Sequence, residues 1–130
     1  MNRNLIRIGL DVLMFVLLVL LYEDRTISLE FHEIAGLAIF GLFLIHKGIN
    51  WKWIAGVTRR LFGRSLPAKT RLGYIVDVLL LIVMVFIVVS GIMISRTILV
   101  HVYGTTPVWR FGHFFASALA LLLVGIHAGL

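Results

Sequence analysis

Four long apolar stretches limit the folds that this chain can adopt more than any other feature of its sequence. They cover approximately residues 5–22, 31–49, 72–94 and 108–130, and polar or turn-forming residues separate them. A helix that crosses a bilayer needs about 20 mainly apolar residues, and its backbone polar groups are satisfied within the helix. The sequence therefore predicts an all-α fold, a transmembrane four-helix bundle that forms a single integral membrane domain over residues 1–130.

Composition excludes the soluble classes of protein. Hydrophobic residues make up 61% of the chain and charged residues only 14%, whereas soluble domains carry about a quarter charged residues. The chain has no Cys, which excludes disulfides, iron–sulfur clusters and zinc sites with Cys ligands. The first span begins with basic residues, as a signal peptide does, but no small-residue cleavage site follows, so we expect it to be retained.

The distribution of Lys and Arg predicts the orientation. Nine of the twelve lie at the amino end or between the second and third spans: Arg3, Arg7, Lys47, Lys52, Arg59, Arg60, Arg64, Lys69 and Arg71. By the positive-inside rule both termini and the basic middle loop are cytoplasmic. This loop accounts for most of the net charge of +6. We therefore interpret it as a topology signal in contact with anionic membrane lipid, and we expect no nucleic-acid site.

The two halves of the chain resemble each other. Asp-Val-Leu at 11–13 recurs at 77–79, and Arg-Thr-Ile at 25–27 recurs at 96–98. These matches suggest a two-plus-two helix pseudo-repeat, with its axis along the membrane normal. Chance similarity is the alternative, because short apolar strings match easily.

Four of the five histidines form a regular arrangement in the second and fourth spans. Fourteen residues separate His32 from His46, and fourteen separate His113 from His127. At 3.6 residues per turn, the two imidazoles of each helix share one face about 21 Å apart. Both spans run in the same direction, so His32 lies at the level of His113 on the outer side, and His46 lies at the level of His127 on the inner side.

Two imidazoles from facing helices commonly hold the iron of a b-type haem from both sides. We predict two haem b groups, one near each membrane face. Zinc fits less well, because a structural zinc site needs four ligands close together. A lone transmembrane His is as often a packing residue, and we interpret the unpaired His101 as an interfacial residue.

The histidine spacing resembles that of the transmembrane di-haem cytochrome b of quinol-oxidising bc complexes. The segments HEIAGLAIFGLFLIHKGINWKW and HFFAS…GIHAGL look closer still to small bacterial four-helix membrane proteins of the cytochrome b-like class. The resemblance covers nearly the whole chain. It implies an outer haem on His32 and His113, an inner haem on His46 and His127, and location in a bacterial inner membrane. The chain stops three residues after His127, early for this class, which leaves the completeness of the carboxyl end open.

Three further polar residues near the spans are of interest. Asp11 and Asp77 occupy matching positions near the inner ends of the first and third spans. Each carboxylate has three candidate roles: an ion pair with Arg7 or Arg71, orientation of an inner imidazole, or acceptance of a proton from a quinol. Arg110 is a candidate partner for a propionate of the outer haem.

Transmembrane electron transfer is the function that these features favour. No soluble domain is present to bind a flavin or nucleotide, so we expect an electron-transfer subunit that exchanges electrons with quinone and a partner redox protein. Oligomerisation stays open. The alternative is a proton or metal-ion transporter lined by His and Asp, without haem, and a third interpretation is a membrane anchor in which haem is only structural.

Overall fold

The structure of the protein is a computed structural model, which describes residues 3–23, 27–63, 66–99 and 107–130. Within these ranges the chain forms five helices and no strand. The helices are α1 (Arg3–Tyr22), α2 (Leu29–Ile49), α3 (Trp51–Arg60), α4 (Ala68–Ile94) and α5 (Pro107–Gly129).

Four of the helices, α1, α2, α4 and α5, are long and apolar enough to cross a membrane. Each of the four predicted spans falls on one of them, and the boundaries differ by a few residues. The largest difference is at α4, which begins at Ala68, directly after Pro67. The basic residues of this first turn are too polar to count as part of an apolar span, although they extend the helix.

The short helix α3 was not predicted. The sequence interpretation treated the stretch between the second and third spans as a connecting loop, and that interpretation is wrong for Trp51–Arg60. One face of α3 is held against the bundle: Val57 is 2% exposed, and the Thr58 hydroxyl lies 2.8 Å from the hydroxyl of Tyr74 on α4. Only Asn50 separates α3 from α2.

The spanning helices pack as two hairpins, α1 with α2 and α4 with α5. Small residues of α5, Ala116 and Ala120, lie buried against Val76 and Leu80 of α4, and small side chains let two membrane helices approach closely. The hairpins meet where Ile39 and Phe43 of α2 contact Met84 of α4.

The two histidine-bearing helices, α2 and α5, do not pack directly on each other. No pair of their described Cα atoms lies within 8 Å. Two helices in direct contact have axes about 8–10 Å apart, and some of their Cα atoms then lie closer together than the axes. The space between α2 and α5 is therefore wide enough to be lined by side chains from both hairpins.

Candidate functional site

At one end of the bundle, which we call the outer end after the predicted orientation, His32 and His113 lie together. The Ser28 hydroxyl accepts a hydrogen bond from the Phe31 N–H and caps the start of α2, which fixes His32 in the first turn. His113 comes from α5. The two ring centroids are 6.3 Å apart, and the ring planes are inclined at 65°.

The polar contacts of His113 determine which of its ring nitrogens is available. Nδ1 lies 3.1 Å from the Ile87 carbonyl oxygen and 3.1 Å from the hydroxyl of Ser90, which is 0% exposed. A carbonyl only accepts, so this contact favours the tautomer in which Nδ1–H donates and Nε2 keeps its lone pair. The neighbouring Gly91 leaves room for the ring, since a Cβ there would lie 3.3 Å from His113 Cε1.

A largely apolar cavity of about 700 Å³ adjoins this pair. His32, His113 and Arg110 all line it, and Gly36 adds open space on the α2 side. Pockets for organic ligands and cofactors measure about 300–1,000 Å³ and combine apolar walls with a few polar groups. The outer cavity is therefore large enough for an organic cofactor between α2 and α5.

Glu33, directly after His32, fastens the segment that follows α4. The hydroxyls of Ser95 and Thr97 donate to its carboxylate at 2.7 Å, and the backbone N–H groups of Arg96 and Ile98 donate at 2.9 Å. No local sequence pattern pointed to this role of Glu33, because its partners lie more than 60 residues further along the chain. The structure shows that it joins α2 to the end of α4 beside the outer cavity.

At the inner end each histidine lies beside a carboxylate of its own hairpin. His46 Nδ1 is 2.9 Å from Asp11 Oδ1, and His127 Nδ1 is 3.0 Å from Asp77 Oδ1. The Asp11 oxygen is close enough to attract the ring but lies outside hydrogen-bonding geometry, since the buried His46 Nδ1 has no hydrogen-bond partner. Of the three roles considered for the two aspartates, these contacts are nearest to orientation of the inner imidazoles, since each carboxylate lies beside an Nδ1 atom.

Asp77 also forms an ion pair with a lysine of the other hairpin. Lys47 Nζ donates to Asp77 Oδ1 at 3.1 Å, and the same ammonium lies 5.3 Å from the centroid of the Phe43 ring. The candidate ion pair of Asp77 with Arg71 is not among the described contacts, and the Arg71 guanidinium donates to the Gly63 carbonyl. Lys47 directly follows His46 in α2 and therefore lies at the same end of the bundle as Asp77.

The inner cavity is much smaller than the outer one, about 260 Å³, and its lining includes Asp11, His46, Asp77 and His127. This volume is just below the usual range for pockets of organic ligands. The outer pair therefore fits a bulky cofactor better than the inner pair does.

Three residues named in the sequence analysis lie outside the described part of the chain, namely Arg25, Arg64 and His101. Among the residues that the structure describes, no three or more His, Cys, Asp or Glu side chains are grouped so as to hold a metal ion. Within the same ranges, the imidazole pair whose rings are in contact is His32 with His113.

Comparison with known proteins adds no assignment: no family model, no curated protein and no solved structure matches the chain.

Proposed function

We propose that the protein is a membrane electron carrier that binds haem b between α2 and α5. The observation that carries this proposal is the proximity of His32 and His113, whose ring centroids are 6.3 Å apart. Two imidazoles that bind one metal ion from opposite sides, each at about 2 Å, have their ring centres roughly 6 Å apart. The separation of the two rings therefore suits axial ligation of one iron.

The surroundings of the pair support the same proposal. The Ile87 carbonyl orients His113 so that Nε2 is the free nitrogen, as in metal sites where a second group fixes the ligand. The walls of the outer cavity are largely apolar, and Arg110 on its lining is the proposed partner of a propionate. When bound, the haem supplies one-electron redox chemistry, and its potential depends on the ligands, burial and nearby charge.

A second haem b on His46 and His127 completes the proposed path across the membrane. Asp11 and Asp77 would orient its two ligands through Nδ1. The inner cavity, about 260 Å³, is smaller than the usual pockets of organic ligands, so this second haem would need more space than the structure shows. The two sites are about 21 Å apart along the helices.

The proposed setting follows the cytochrome b-like resemblance and the charge distribution. We place the termini and the basic middle region on the cytoplasmic side of a bacterial inner membrane and interpret the two hairpins as a diverged repeat. The matching contacts Asp11–His46 and Asp77–His127, one in each hairpin, support the repeat. Quinone on one side and a redox protein on the other are the proposed partners, with the chain acting as an electron-transfer subunit.

A haem-free relay for protons or metal ions is the second candidate. It is favoured by the inner cluster, where two Asp–His contacts and Lys47 surround one cavity. This cluster lies at one end of the bundle only. The two proposals differ in a simple respect, since a relay is colourless and a haem protein is red.

The test is the haem content of the purified protein, measured by oxidised and dithionite-reduced absorbance spectra and by the pyridine haemochrome assay. We expect two haems per chain in the parent and one in His113→Ala, with Ile126→Ala on the same helix as the control. A colourless parent from cells supplied with haem precursor would overturn the proposal. Unchanged haem content in His113→Ala would contradict the proposal that His113 binds the outer haem.

A further inference from the structure

We propose that the outward surface of α3 and the residues after it bind the headgroups of acidic phospholipids. This headgroup surface consists of Trp51, Lys52, Arg59, Arg60 and Phe62. The proposal does not depend on haem binding, since it concerns a part of the chain outside both histidine pairs.

The position of α3 relative to the spanning helices places it at one face of the bilayer. It begins one residue after α2 ends at Ile49, and α4 begins at Ala68. Because α2 and α4 are both long and apolar enough to span the membrane, the helix between them lies where the hydrocarbon ends.

The two faces of α3 differ in what they contact. Val57 is buried and Ile54 half-buried, and Thr58 contacts Tyr74, so this face is occupied by the bundle itself. Trp51, at the start of α3, is 65% exposed, and Phe62, two residues after its end, is 97% exposed. Trp is enriched at the headgroup level of membranes, and an exposed Phe makes apolar contact there.

Basic side chains lie between these exposed aromatic residues. Lys52, Arg59 and Arg60 are all exposed, and among the described residues none of them forms an ion pair with a carboxylate. No Asp or Glu occurs in the sequence between Glu33 and Asp77. The surface is therefore uniformly positive, and its ligand is expected to be anionic.

The combination of aromatic and basic side chains indicates which ligand the headgroup surface binds. A basic amphipathic helix with Trp and Phe at its border binds at the interface through apolar contact and attraction to anionic lipid. A lipid headgroup of the surrounding leaflet meets both requirements, because α3 cannot leave the membrane surface while α2 and α4 stay inserted. Acidic phospholipid is thus favoured over a soluble anionic partner.

Tryptophan quenching tests this directly, because two of the three Trp residues lie on α3. In a Trp109→Phe background, Trp51 and Trp53 report alone, in nanodiscs that contain brominated phosphatidylglycerol or brominated phosphatidylcholine, each compared with its non-brominated form. We expect stronger quenching by brominated phosphatidylglycerol. The Lys52→Gln, Arg59→Gln, Arg60→Gln triple variant should weaken this preference about tenfold or more.

The matched control keeps the charge: Lys52→Arg, Arg59→Lys, Arg60→Lys should retain the preference. If the triple Gln variant does not fold, as judged by far-ultraviolet circular dichroism, the single variants Lys52→Gln and Arg59→Gln should each reduce the preference in part. Equal quenching by the two lipids in the parent, or an unchanged preference in folded Gln variants, would overturn the proposal.

Discussion

Lys47 Nζ lies 3.1 Å from Asp77 Oδ1, and this ion pair joins the α1–α2 hairpin to the α4–α5 hairpin. Both side chains are mostly buried, 17% and 14% exposed. Because the pair bridges the two hairpins and Asp77 also lies beside His127, it contributes both to the stability of the bundle and to the placement of His127.

Lys47→Met should destabilise the bundle by about 1–3 kcal/mol. Removal of one partner of a fully buried pair costs about 3–5 kcal/mol, but here both groups keep some exposure and His127 still lies beside Asp77. The measurement is reversible unfolding in mixed micelles with increasing dodecyl sulfate. Lys52→Met, on the exposed side of α3, is the control, and equal midpoints for the two variants would contradict the prediction.

Glu33→Gln should loosen the segment after α4. The carboxylate accepts four hydrogen bonds there, whereas an amide offers one oxygen and no charge, so we expect a loss of about 1–3 kcal/mol. Hydrogen exchange of the Arg96 and Ile98 amides should accelerate. Glu30→Gln, one turn earlier and exposed, should leave both rates unchanged, and similar rates in the two variants would show that Glu33 does not hold this segment.

Gly91→Ala should reduce occupancy of the proposed outer haem. The added methyl would lie 3.3 Å from His113 Cε1, which is tight enough to displace the ring. We expect the haem per chain to fall toward one. Gly41→Ala, where a Cβ meets nothing within 4 Å, is the control. Full occupancy in Gly91→Ala would indicate that His113 does not need its present position to bind the cofactor.

Asp11→Asn and Asp77→Asn test the role of the carboxylates beside the inner histidines. Loss of a group that orients a metal ligand typically costs about 10–100-fold in affinity. We expect each variant to weaken the inner haem by at least about tenfold and to leave the outer haem in place. Redox titration followed at the α-band resolves the two groups. An equal effect on both haems would argue for a general loss of folding instead.

The spans were predictable because length and apolarity alone define a membrane helix, and each predicted span falls on a helix. The levels of the histidines were also predictable, since fourteen residues are nearly four helical turns and α2 and α5 carry the same spacing. That these pairs ligate haem stays a prediction.

Other parts of the site were missed for physical reasons. α3 is too short and too polar for an apolar-span criterion, although Ile54, Val57 and Leu61 follow a helical spacing that could have revealed it. The contacts of Glu33 with residues 95–98, and of Ser90 with His113, join positions far apart in sequence. These contacts depend on which helices pack together, and a local sequence pattern does not predict the packing of distant helices.

The weak packing between α2 and the second hairpin, and the absence of direct packing between α2 and α5, bear on how the protein matures. The hairpins are joined by the Lys47–Asp77 ion pair and by the contacts of Glu33 with the end of α4, and the material that fills the space between them adds to that union. Under the proposed function that material is haem, and a ligand that binds only the assembled form stabilises it. The lifetime of the chain in the cell would then depend on haem supply, because loosely joined hairpins are more open to membrane proteases.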